Sequence, residues 1–161
     1  MTNFKRLGPI VVISALITLL AGAALATPST TDFVGKLLAH ASFGQLHAKH
    51  DGVIVDSTHG KADVEVDKVT IGPGGSSGWH HHPGVVLILV KSGAVTLYNH
   101  QCDKTVYKAG KGFLESHDKP LLVRNNGKGD AVLYVTFIVP SSTTAEGLRI
   151  EDPRPKDCNV K

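Results

Sequence analysis

Gly72-Pro73-Gly74-Gly75-Ser76-Ser77-Gly78-Trp79-His80-His81-His82-Pro83-Gly84-Val85-Val86-Leu87-Ile88-Leu89-Val90 joins three signals in one run. Its first part is turn chemistry, because clustered Gly, Pro and Ser adopt the backbone conformations that close tight loops. Its last part, Val85 to Val90, is a continuous apolar run ended by Ser92-Gly93, which reads as a buried strand. Between them stand Trp79, a packing residue, and three consecutive histidines. Residues two apart on a strand point to the same face, so His80 and His82 share a face while His81 points away. Two imidazoles on one face suit a divalent metal. Three histidines beside a glycine-rich loop also make an ordinary polar loop, and spacing alone leaves both readings open. The segment is no phosphate cradle, because that needs Gly-Lys-Ser/Thr opening a helix, and here a strand follows.

Outward from this run the period stays near two. Val64, Val66 and Val69 to Ile71 precede it, and Val95, Leu97, Val106, Phe113-Leu114, Leu121 to Val123 and Ala131 to Val139 follow. Lys91-Ser92-Gly93, Ala109-Gly110-Lys111-Gly112 and Asn125-Asn126-Gly127 separate them. About eight short strands with turns between them predict an all-β, antiparallel barrel or sandwich over residues 52–140. Residues 27–51 form an N-terminal extension. There Thr31 can cap a helix, and Phe33, Leu37 and Ala41 recur at four-residue spacing, which predicts one short helix. Residues 141–161 lose periodicity and gain Pro153 and Pro155, which predicts an extended tail.

Residues 1–26 read as a secretory leader. Lys5 and Arg6 precede an apolar run from Ile10 to Leu20, and Ala24-Leu25-Ala26 is a small-residue cleavage signature. Leu7 to Ala26 carries no charge, so an uncleaved membrane anchor is the alternative. Lys5 and Arg6 supply two of the surplus of three positive charges, so the exported part is almost neutral. That balance excludes a basic nucleic-acid or anionic-lipid surface, and no membrane contact is expected after cleavage. Export to a periplasmic or extracellular space also makes the chain's two cysteines, Cys102 and Cys158, read as one disulfide. It would tie the tail to the middle of the chain and stabilise it by about 3–4 kcal/mol in the chain-entropy treatment.

Other candidate ligands are His117, Glu115 and His100. Glu115 by itself reads as a strand-end charge, whereas His117 sits at a strand end from which it can join His80 and His82. No nucleophile elbow occurs, and no serine stands beside a recognisable base, so a hydrolase triad has no support.

The chain resembles the cupin superfamily. Gly74, His80, His82 and Gly93 fall on the first cupin motif, Gly-x5-His-x-His-x3-Glu-x6-Gly, with Val86 in place of the Glu. Gly110 and Asn125 fall on the second motif, with Ser116, Asp118 and Leu121 at its Pro, Gly and His positions. The match covers roughly residues 62–140 and looks most like the small, exported single-domain cupins. The resemblance implies a jelly-roll barrel and a metal set of three His and one Glu, of which His80 and His82 survive. His117, close to Leu121, can move the lost nitrogen to a neighbouring position, so the expected metal residues are His80, His82 and His117. The implied cofactor is one divalent first-row metal (Fe, Mn, Zn or Ni), with a metal-free barrel as the alternative.

Three functions follow. The first is a small-molecule-binding barrel of unassigned activity with a degenerate metal site. The second is a metal-dependent enzyme of dioxygenase or isomerase type, and the third a structural or interaction scaffold. Many cupins pair through a barrel edge, so the resemblance also allows a homodimer.

Overall fold

The computed structural model describes residues 26–115 and 119–160. His117 and, Ala26 apart, the leader expected over 1–26 lie outside the described residues. Ten strands follow in order: β1 Phe33–His50, β2 Val53–Ile71, β3 His80–His81, β4 Val85–Ser92, β5 Ala94–Tyr98, β6 Lys104–Lys108, β7 Gly112–Glu115, β8 Leu122–Arg124, β9 Ala131–Pro140 and β10 Ile150–Glu151. A 3-10 turn at Glu146–Leu148 precedes β10. All pairings are antiparallel, in a five-stranded sheet β1-β2-β9-β4-β7, a three-stranded sheet β6-β5-β8 and a two-stranded pair β10-β3. Among the described residues no helix is long and apolar enough to cross a membrane.

Register explains the core. Val86, Ile88 and Val90 of β4 stand opposite Phe137, Val135 and Leu133 of β9. Val69 and Ile71 of β2 stand opposite Leu133 and Ala131. Residues directly opposite in a ladder share a face, so these side chains form one apolar layer. Val95, Leu121 and Val123 close it from the smaller sheet. Leu122 points the other way, into a second cluster with Trp79 and Cys158. Both faces of β8 are therefore covered, which is why Leu121 to Val123 is unbroken in its apolarity.

The helix expected around Thr31, Phe33, Leu37 and Ala41 does not form. Residues 33–50 are instead the edge strand β1, paired with β2 from Phe33↔Ile71 to His50↔Val53. Asp51 and Gly52, with φ of 43° and 84°, make the tight turn, as an Asp-Gly pair does in a two-residue hairpin. The register shifts between Leu37 and Ala39, between Phe43 and Gln45, and between Gln45 and His47. Phe33 to Leu37 pairs in continuous register, so its four-residue spacing is two strand periods, which a helical reading of the sequence also accommodates. A ladder of this length outweighs local propensity.

The tail carries the 3-10 turn and β10, and the expected disulfide ties it to the middle of the chain. Cys102 and Cys158 form a disulfide, with Cα atoms 5.5 Å apart, and Cys158 is buried against Trp79.

Candidate metal centre

The glycine-rich loop delivers the histidines. Gly78 has a φ of 70°, and a Cβ there would lie 2.0 Å from the Thr27 carbonyl oxygen, so only glycine lets the N-terminal segment pass. Asn125 anchors the same loop from β8's end, its amide donating to the carbonyls of Ile71 (2.7 Å) and Gly129 (2.8 Å). His80 then pairs with Leu121 through two backbone hydrogen bonds of 3.0 and 2.9 Å. That bridge sets the alternation, and both His80 and His82 are buried, each 4% exposed. His81 faces the other way, its Nδ1 2.7 Å from Asp152 Oδ2.

Glu115 completes the group. It ends β7, is 3% exposed, and stands directly opposite Val86 of β4. Its Oε2 lies 3.0 Å from His82 Nε2 and 3.8 Å from His80 Nε2. One ligand atom from each of the three side chains lies within 4.8 Å of the others. Glu115 is two residues beyond the buried Phe113 on the same strand face, and that period is the sequence signal that marks it as inward. His100 lies in the turn between β5 and β6 and is not part of the group. Val86 and Leu121 are both buried and apolar.

Hydrogen bonding fixes the electronics. His80 Nδ1 lies 2.9 Å from the Gly78 carbonyl and His82 Nδ1 2.6 Å from the Leu148 carbonyl. A carbonyl only accepts, so each ring donates from Nδ1 and presents Nε2 to Glu115. Burial, the largest cause, pushes the His80 pKa down to about 4, against the opposing pull of Glu115, so this ring is neutral near pH 7. Both Nε2 atoms thus converge on one carboxylate oxygen, that of His82 at 3.0 Å and that of His80 at 3.8 Å. Such a set is stable only with a cation at its centre, either a proton on one partner or a metal ion. The donor set fits a divalent metal.

The family profile of the cupin domain matches residues 67–137. Residues 67–137 are a cupin domain. No curated protein matches it. Among solved structures it is similar to an oxalate oxidase in complex with glycolate (24% identity, 46% of this chain and 41% of that chain, TM-score 0.42). It is also similar to a cupin 2 conserved barrel domain protein from Leptotrichia buccalis (17%, 67% and 41%, TM-score 0.47). A third likeness is to a conserved protein of unknown function from Streptococcus pyogenes (12%, 70% and 79%, TM-score 0.48). The chain spans well under half of the first two. In this cupin domain the carboxylate missing at Val86 reappears one strand away, at the position facing it. The nitrogen missing at Leu121 has no replacement among the described residues of the group.

The trio opens onto a cavity of about 260 Å³. Ile88, Val135 and Phe137 line its apolar side, and Glu65 and Asp67 of β2 line another. Burial raises the pKa of both acids, and for Glu65 the neighbouring Asp67 charge adds to it.

Proposed function

We propose that this cupin is exported and binds one divalent transition metal through His80 Nε2, His82 Nε2 and Glu115, with a small molecule held beside it in the barrel. The single observation that carries the reading is the convergence of two Nε2 atoms, each ring held at Nδ1 by a backbone carbonyl, on one buried carboxylate. Two imidazoles and one carboxylate with further positions open form the donor set associated with non-haem iron(II), so iron leads manganese, nickel and zinc. The disulfide and the leader-like first 26 residues support export. The cavity is small, enclosed largely by apolar side chains, and carries a few polar groups, which suits a compact ligand. Glu65, Asp67 and Arg149 on its wall suit a small polar ligand that offers both donors and acceptors.

A metal-dependent enzyme is the second reading, favoured by the same trio. A metal with only three protein ligands keeps positions for a substrate or oxygen and would act there as a Lewis acid or oxygen binder. The chain's residues would hold the ion, exclude bulk water through the apolar wall and leave Glu115 as the charged partner.

Elemental analysis of untagged protein tests the proposal. One metal per chain is expected in the wild type and none in His80→Ala/His82→Ala. Glu115→Gln keeps the shape of the side chain, removes its charge and should leave metal well below one per chain. A metal-free wild type that also refuses added Fe(II), Mn(II), Ni(II) and Zn(II) would return the barrel to a plain binding or scaffold role.

A further inference from the structure

We infer that the C-terminal tail is the positioning element of the histidine pair, and that the Cys102–Cys158 bond, by holding the tail in place, sets the affinity of the site for its metal. The inference rests on the metal reading above and goes past it, to what controls that site.

The tail touches each of the three consecutive histidines. Leu148 offers its carbonyl to His82 Nδ1 at 2.6 Å. Asp152 offers Oδ2 to His81 Nδ1 at 2.7 Å. Ile150 and Glu151 of β10 pair with His81 and His80 of β3. Arg149, between them, reaches the carbonyl of Ser77 and holds Glu151 at 2.9 Å. The five residues from Leu148 to Asp152 therefore form one side of the strand that presents the ligands.

Leu148 also packs on the main core, and Thr27 donates to the Asp152 carbonyl at 3.1 Å beside the Ala26–Pro153 bridge. Between Ser141 and Leu148 the backbone hydrogen bonds are local, apart from Ser141 N to the Lys61 carbonyl. From Asp152 onward the remaining anchors meet at Trp79, the residue before His80. Trp79 accepts from Asp152 N at 2.9 Å, donates from Nε1 to the Val160 carbonyl at 3.1 Å, and packs on Cys158. Cys158 is in turn bonded to Cys102, which follows β5. The covalent bond thus fastens the far end of the tail to the smaller sheet, and the near end orients His82.

His82 shows why this matters to the metal. Its Nε2 is a ligand only while its proton is on Nδ1, and the Leu148 carbonyl is the acceptor that keeps it there. Freed from it, the ring can place the proton on Nε2 and donate to Glu115, which lies 3.0 Å away. That closes the site without an ion. Loss of an outer partner of this kind typically costs 10–100-fold in metal affinity.

The test compares the oxidised chain with the chain reduced by a water-soluble phosphine. The phosphine breaks the S–S bond and leaves as its oxide with oxygen from water, and the two sulfurs become thiols. Free Mn(II), counted by its electron paramagnetic resonance signal, gives the Kd in each state. Long-range proton–nitrogen NMR of the metal-free protein gives the His82 tautomer. Cys102→Ser/Cys158→Ser repeats both measurements without reductant, with circular dichroism confirming the β fold. Expected is a Kd weaker by about 10–100-fold in the reduced and variant proteins, together with loss of the pure Nδ1–H form of His82. A Kd unchanged within about twofold overturns the inference, and so does a His82 ring that keeps its Nδ1 proton after reduction. An oxidised chain that binds no metal removes the metal reading instead, and the tautomer measurement still decides whether the tail positions the ring.

Discussion

At the scale of single residues, positions 86, 115 and 121 decide what this barrel can hold. Valine and leucine stand where the cupin motifs place a carboxylate and an imidazole, and one of the two losses is made good across the ladder by Glu115. Leu121 is bridged to His80, so an imidazole there would share its face. Leu121→His should supply a third nitrogen and lower the Mn(II) Kd by about tenfold, or roughly 1.4 kcal/mol, measurable by titration. The neutral His80 has a cost in acid. Its folded pKa of about 4 lies below the ordinary 6.5, so between those values the unfolded chain takes up a proton that the folded chain refuses. Stability of the metal-free protein should therefore be unaffected by this group above pH 6.5 and fall as pH drops toward 4, by up to about 3 kcal/mol. Denaturant melts of the wild type and His80→Gln at pH 7, 5.5 and 4.5 check this. The variant should lose that part of the slope.

At the scale of elements, the strands after residue 62 were legible because their alternation is regular and their turns are glycine-marked. β1 was not, because irregularities at Leu38, Gly44 and Leu46 interrupt the alternation. The Asp51-Gly52 pair was the signal available, since it suits a hairpin turn and sits between two halves of equal reach. Two of the glycines with left-handed backbone, Gly52 and Gly78, behave differently on substitution. Gly52 has nothing within 4 Å of a built Cβ, so Gly52→Ala should cost only the conformational strain, about 1 kcal/mol. Gly78 adds a clash with the Thr27 and Pro28 backbone, and Gly78→Ala should cost about 2–4 kcal/mol. Thermal melts of the two variants rank them, and equal losses would contradict the close approach at Gly78. In β2, Asp63-Val64-Glu65-Val66-Asp67 alternates as a strand should, yet Glu65 and Asp67 share a face with buried Val69 and Ile71 and line the cavity. Which face of that strand turns inward depends on the pairing with β9 and not on hydropathy.

At the scale of the whole molecule, the tail and the disulfide make one unit of the two sheets. Cys102 and Cys158 are 56 residues apart in sequence, so reduction should lower the unfolding free energy by about 3–4 kcal/mol. Denaturant midpoints with and without reductant measure the loss. A smaller loss with an intact far-ultraviolet spectrum would mean that Trp79 and β10 hold the tail without the covalent bond. The sequence by itself determined the β class, the glycine turns, the His80 and His82 pair and the cysteine partnership, because each rests on short-range periodicity, on turn chemistry or on there being one way to pair two cysteines. Tertiary structure alone decided that Glu115, inward by its strand period, meets this pair, that β1 is a strand, and that the Leu148 carbonyl lies against His82 Nδ1. Those contacts join residues tens of positions apart, and the register that brings them together is a property of the assembled sheets.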